Sequence, residues 1–302
     1  NYNLNKNQVF EYKHFDKFKK NFSKELKKDF DFGLPVRFRD LQEINNIFNP
    51  SFLEIHFTFN DLSLFQNYKK KINFENLSFK FHAPETFEDN FILDLANLDS
   101  IIRKKSKDKI LYTIHVANEI YLKSNMKTLP HFIINVGGHS DHNFLNKKII
   151  PKLFENLINS FKDLEFGSLI PLVQSMPPFP WQLGGRRYHN LFVDLLDFKK
   201  FNKITNIFGC LDTSHSYLAS KFLGTDFYKD IKKYNYLFPY VHLSDAKSPD
   251  GEGLQIGSGD IDFAKTHKLL KNKEFIPEIW QGHLNNFNGF YEAINKLEKY
   301  YG

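Results

Sequence analysis

Most of the chain's short apolar runs end in side chains able to bind a metal or move a proton. Glu54 and His56 lie in FLEIHF, His82 in FKFHAPE, and Asn135 with His139 in INVGGH. Gln174 closes LVQ, Asp212 and His215 lie in CLDTSH, His242 and Asp245 in VHLSD, and Glu278 in PEIW. One histidine at a strand end is usually structural; the recurrence is what points to a site. Carboxylates and imidazoles together suit a divalent ion such as Mn²⁺, Zn²⁺, Co²⁺ or Mg²⁺. The single cysteine, Cys210, excludes a cysteine-built zinc site and an intrachain disulfide. The chain has no HExxH, GxSxG or CxxC, so zincin, α/β-hydrolase and dithiol chemistry lack their parts.

For such scattered residues to act together, the fold must gather the strand ends. The runs are LPVRF (34–38), FLEIHF (52–57), LSFKFHA (77–83), HFIINV (131–136), SLIPLVQ (168–174), IFGCLD (207–212), YVHLSD (240–245) and FIPEIW (275–280). Between them lie stretches of helical period, such as LANLDSIIRKKSKDKILYTIHVANEIYL and KKIIPKLFENLINSFKDL, and FYEAINKLEKYY follows the last. Strand–helix alternation implies parallel βαβ units, and about eight of them imply an α/β fold, a (β/α)₈ TIM barrel. The barrel is expected over residues 34–302, with residues 1–33 as an N-terminal extension. In such a barrel the C-terminal strand ends share one mouth. A doubly wound sheet is disfavoured because no GxGxxG follows the first strand. The glycines of GEGLQIGSG (251–259) read as a flexible loop.

The 302 residues carry 41 Lys and Arg against 35 Asp and Glu, and 41 − 35 gives +6. With 41% hydrophobic and 25% charged residues, the chain is neither collagen-like nor largely disordered. No apolar run approaches the roughly 20 residues of a membrane span, and the N-terminus is too polar for a signal peptide. Together with one cysteine, this leads to the expectation of a cytoplasmic protein with no membrane partner. The basic residues fall in short dispersed groups, as solvated helix faces do, so a nucleic-acid partner is not expected. The 34 Phe fit a core bias rather than base-stacking platforms. Because the chain begins at Asn1, a domain of a larger polypeptide is one expectation and a homo-oligomer another.

Several of these segments carry a family resemblance. YVHLSDAKSPDGEGLQIGSGDIDF resembles the seventh-strand region of the xylose isomerase-like TIM barrels. That superfamily includes sugar isomerases, ketose epimerases, inosose dehydratases and endonuclease IV-like DNA repair enzymes. CLDTSHSYLA is similar to its sixth-strand motif, FHAPE to its third-strand histidine motif, and PEIW to its last-strand glutamate. QSMPPFPWQLGG resembles a fifth-strand loop that often begins Glu–Asn. The resemblance runs from about Leu34 to the C-terminus and implies one divalent ion held by Gln174, Asp212, His242 and Glu278. Gln174 stands where the family has glutamate; an amide oxygen can ligate a hard cation but cannot act as a base.

The resemblance implies a metal-dependent sugar isomerase or epimerase acting on a small polyhydroxylated carbonyl compound. The HLSDAKSPDGEGLQIG stretch extends this to cell-surface sugar biosynthesis. Glu278 is the expected proton carrier, with His215 or His82 completing the acid/base pair. Glu54, His56, His139, Trp181, Arg186 and Arg187 are expected around the substrate, the last three on a loop covering the mouth. Asp245, grouped with them, is expected to orient His242. One alternative is an endonuclease IV-like enzyme, which needs three zinc ions. Gly251, Gly253 and Asn135 stand at three of its ligand positions, which disfavours it. A non-catalytic sugar-binding barrel is the other, suggested by Gln174. Elemental analysis of the purified protein should therefore find at most about one tightly held divalent ion per chain; about three zinc ions would restore the nuclease reading.

Overall fold

The computed structural model describes residues 30–301. Eight strands form one parallel sheet in chain order: β1 (Gly33–Val36), β2 (Phe52–His56), β3 (Phe79–His82), β4 (His131–Ile134), β5 (Ile170–Gln174), β6 (Phe208–Asp212), β7 (Tyr240–Leu243) and β8 (Glu274–Pro277). Each is hydrogen-bonded to the next, and β8 lies beside β1, so the sheet curves into a barrel. Every expected run overlaps one strand. His56, His82, Gln174, Asp212 and His242 lie at or near the C-terminal ends of their strands, and Glu278 just past β8, so these ends supply the mouth.

Helices cover the outside: α1 (Leu41–Phe48), α2 (Phe59–Ser63), α3 (Phe65–Tyr68), α4 (Ser100–Ser124), α5 (Ile150–Lys162), α6 (Leu195–Thr205), α7 (Thr213–Leu223), α8 (Phe227–Tyr234), α9 (Phe263–Leu270) and α10 (Leu284–Tyr301). Aspartates open many of them; Asp99, Asp194, Asp212, Asp226 and Asp262 each accept a backbone N–H of the first turn. Asn125, Asn206 and Gly224 end α4, α6 and α7 in left-handed conformation. No helix among the described residues is long and apolar enough to cross a membrane.

Because side chains alternate along a strand, the barrel has two apolar layers. Outward residues such as Phe79, Phe81, Phe132, Val173, Leu211 and Val241 meet the helices in the main core. Inward, Phe52, Ile133, Leu172, Cys210, Tyr240 and Ile276 form a separate plug. Gly33 leaves the room that the Phe52 ring occupies. Beneath the plug, Lys80 Nζ donates to Glu274 at 2.9 Å and lies over the Phe52 and Tyr240 rings. The polar mouth thus stands on an apolar floor.

Residues 1–29 of the expected N-terminal extension lie outside the described residues. Phe30 and Phe32 are buried in the core, and the Phe30 ring stacks on Phe275. The aromatic bias works as core filling: Phe81 is fully buried and its ring lies 5.9 Å from that of Phe57. Phe81→Ala should cost about 3–5 kcal/mol in chemical denaturation. A loss below about 1 kcal/mol would show that the outer layer is not close-packed.

Candidate active site

The centre of the mouth is His242, fully buried at the end of β7. Its Nε2 lies 3.1 Å from a Glu54 oxygen and its Nδ1 2.7 Å from a Glu278 oxygen. Burial opposes a charged ring, but the Glu278 and Glu54 carboxylates in contact with it overcome that and hold the His242 pKa well above its usual range. Burial likewise works to raise Glu54 and Glu278, yet the neighbouring imidazoles prevail and keep both well below the ordinary carboxylate range. Gln174 sits among them. Its Oε1 is 2.9 Å from His82 Nε2, and its Nε2 donates to a Glu278 oxygen at 3.2 Å. That Nε2 also lies 3.0 Å from His242 Nδ1.

His56 completes the layer. Its ring stacks 4.7 Å from His82, and its Nε2 meets the second Glu54 oxygen at 2.6 Å. Burial drives its pKa down to about 4 despite Glu54. Cys210, below, is pushed up to about 12 by burial and is an inert thiol.

A second cluster lies across the cleft. Asp212 ends β6 and opens α7, its Oδ1 accepting from the His215 amide at 2.9 Å and the Ser214 hydroxyl at 2.8 Å. The helix ties His215 three residues on, where its Nδ1 meets the Ser175 carbonyl at 2.8 Å. His215 Nε2 faces Glu252 Oε2 at 3.5 Å. Burial raises Glu252 to about 7, His215 only partly opposing it. Burial also raises Asp212, while Asp212 and Glu252 raise His215 against its own desolvation.

Two adjoining cavities open over these groups. One, of about 480 Å³, is lined by Gln174, Trp181, Asp212, His215, Glu252 and Trp280, among others. The other, of about 960 Å³, is walled by Arg39, Thr58, Asn60, Asp61, Tyr68 and His82, among others. Arg37, His56, Glu85 and Glu278 line both and mark their junction.

The structure redistributes several expected roles. His82 Nε2 or Nδ1, a His242 nitrogen and a Glu278 oxygen lie within 4.8 Å of one another, the one such group among the described residues. His82 therefore joins His242 and Glu278 as a candidate ligand. Asp212, expected beside them, spends one oxygen on the helix start. Glu54 cannot face a substrate: it is fully buried beneath His242. The orienting role expected of Asp245 falls to Glu54, because Asp245 accepts from the amides of Ala246, Gly259 and Ile261 instead. Those bonds also order the stretch read as a flexible loop, and Gly251–Leu254 pairs with Asp245–Lys247.

Arg186 and Arg187 turn away from the cleft. Arg186 pairs with Asp250 at 2.6 Å, and Arg187 pairs with Asp141, clasping loops together. His139 stands apart near Asp94 and His189 and lines neither cavity. Trp181 does line the smaller one. Arg37, Glu85, Glu252 and Trp280 are the residues sequence reasoning passed over. All four follow a barrel strand within the loops at its C-terminal end, which was the available signal.

The positions that lack nuclease ligands are filled by something else. Gly253 adopts φ +63°, and the Trp280 ring lies where its side chain would start. A histidine at 253 would have to displace that ring. Asn135 donates to Glu85.

A family profile described as xylose isomerase-like TIM barrel matches residues 47–300. The chain belongs to this family. Among solved structures it is similar to a D-tagatose 3-epimerase-like protein, at 17% identity and TM-score 0.64, covering 89% of this chain and 96% of that one. It is also similar to 3-keto-D-glucoside 4-epimerase from E. coli, at 11% identity and TM-score 0.62, covering 90% and 100%. Endonuclease IV from Thermus thermophilus matches at 14% identity and TM-score 0.56, covering 89% and 99%. At these identities the likeness is one of fold. No curated protein sequence matches significantly.

The donor set fits a divalent ion. With Nε2–H held by Glu54, His242 would offer Nδ1 to an ion in place of the proton it shares with Glu278, the carboxylate–histidine arrangement of many metal sites. The second cluster gives a pH prediction. Glu252 binds its proton more tightly in the folded chain, so its contribution is full below pH 4.5 and falls as pH rises to about 7. His215, also raised, acts in the same direction. Glu252→Gln should therefore gain stability on the wild type by about 1–3 kcal/mol between pH 5 and 8, read by urea denaturation. An unchanged difference across that range would show that Glu252 is not held protonated.

Proposed function

We propose that the protein is a mononuclear, metal-dependent isomerase or epimerase of small polyhydroxylated carbonyl compounds. The observation that carries this is the convergence of His82, His242 and Glu278 beside the Glu252–His215 pair, where the two cavities adjoin. His82, His242 and Glu278 would hold the ion, with the Gln174 oxygen and Asp212 beside them. When bound, the ion supplies a Lewis acid for polarising a substrate oxygen. Zinc, manganese, cobalt and magnesium all tolerate such nitrogen and oxygen donors.

The chain's own groups divide the remaining work. Glu278, held low by the histidines, stays an anion and is a poor proton carrier near neutrality. Glu252, at about 7, is matched to taking and returning a proton there. His215, 3.5 Å away, is placed to share that proton. The roles expected of Glu278 and His82 thus become binding roles, and proton transfer passes to Glu252 and His215. Trp181 and Trp280 give the cavity two large apolar faces, suited to the C–H faces of a sugar.

The epimerase named among the similar structures acts on a sugar derivative, and its fold likeness supports this reading. The single buried cysteine suits a cytoplasmic setting. The part in cell-surface sugar biosynthesis rests on the HLSDAKSPDGEGLQIG stretch alone. Gln174 favours one second reading, a barrel that binds sugars without turning them over. The nuclease reading has Trp280 against it, lodged at position 253.

Deuterium exchange into a panel of ketoses in D₂O tests the proposal. The wild type should exchange carbon-bound hydrogen, and a chelator should stop it. Glu278→Gln should lose both metal and exchange. Glu252→Gln should keep the metal and lose about 10²–10⁴-fold in rate. A wild type that binds sugar but never exchanges would establish the non-catalytic reading. Exchange indifferent to chelators would overturn the metal site.

A further inference from the structure

Arg37 is the cation at the junction of the two cavities, and no carboxylate among the described residues pairs with it. It follows the last residue of β1, and its backbone N–H donates to Asp40 Oδ1 at 2.7 Å. Its Nη1 donates to the His56 carbonyl, the one side-chain bond it makes to the described residues. None of their carboxylate oxygens lies within salt-bridge distance of its guanidinium. The nearby acids are engaged elsewhere. Asp40 Oδ2 is 3.1 Å from His283 Nδ1, and Asp61 Oδ2 accepts from the Thr58 amide at 3.0 Å and its hydroxyl at 2.7 Å.

A largely buried guanidinium without an anion is costly, and burial does lower its pKa, though Asp61, Asp40 and Glu278 offset part of that from a distance. Arg37 lines both cavities, and in the larger one Arg39 adds a second cation with no ion pair among the described residues. Thr58, Asn60 and Tyr68 bring neutral polar groups to the same wall. A guanidinium lining a cavity with no carboxylate partner has the planar fork of donors that recognises an oxyanion.

Resting on the isomerase reading above, we infer that the substrate is an anionic sugar whose phosphate or carboxylate group is held by Arg37, with Arg39 assisting, in the larger cavity. Its carbonyl end would reach across the junction to Glu278 and the His82–His242 pair. Glu278 lines both cavities, so a ligand seated at Arg37 extends directly over it.

Calorimetric binding to the full chain, without turnover, tests this with matched pairs. D-fructose 6-phosphate is compared with D-fructose, and D-glucuronate with D-glucose, which separates phosphate from carboxylate. At least one anion should bind about tenfold or more tighter than its neutral partner. Arg37→Gln should erase that preference while leaving the neutral sugar's affinity in place. Arg37→Lys, keeping charge without the fork, should lower it several-fold, and Arg39→Gln should lower it less than Arg37→Gln. If Arg37→Gln fails to fold by circular dichroism, the Arg37→Lys and Arg39→Gln results decide. Equal binding of both members of each pair, no anion binding at millimolar concentration, or a preference untouched by the substitutions would overturn the inference. Proton exchange on neutral ketoses with no anion preference would defeat this inference alone. Anion preference without exchange would defeat only the isomerase reading.

Discussion

The buried contact between Glu54 and His242 is the constraint on which the mouth of the barrel depends. Both side chains are withdrawn from water, and each charge is tolerable only because the other is in contact. The pairing sets which ring nitrogen of His242 faces upward, where Glu278 and Gln174 meet it, and His82 joins through the Gln174 oxygen. Below, the plug of Phe52, Ile133, Leu172, Cys210, Tyr240 and Ile276 keeps water out and leaves His242 no other carboxylate at that depth. Without that floor, the pair would be a solvated contact of little consequence.

The architecture was largely legible in the sequence, because period and position carry it. Eight apolar runs separated by helical stretches specify eight strands, and each run overlaps one strand, β1 and β8 starting one residue earlier than their runs. The polar residues at strand ends were legible for the same reason. What each does there was less so. Glu54 and His56 lie two apart on one strand face, yet one is buried beneath His242 and the other lines the cleft. Alternation gives the face, but depth along the barrel axis depends on the stagger of neighbouring strands. Asp245 follows β7 by two residues, and only the return of residues 259–261 shows that backbone amides claim it. Arg186 and Arg187 met acids from loops distant in sequence, a pairing no local pattern encodes.

Two small side chains also shape the loop that follows β7. At Gly253 the missing side chain and the left-handed backbone admit the Trp280 ring, which forms an aromatic wall there. Between Gly251 and Gly253, Glu252 reaches in to His215. The two glycines are thus the means by which the loop delivers a carboxyl of raised pKa to the cleft, rather than vacancies in it.

Titration of the metal-free protein with Mn²⁺, comparing wild type with Glu54→Gln, tests most directly whether Glu54 presents His242 to a metal ion. Losing such a supporting carboxylate should weaken binding about 10–100-fold. Circular dichroism should show the barrel retained. Equal affinity in the two proteins, or no Mn²⁺ binding by the wild type, would contradict it.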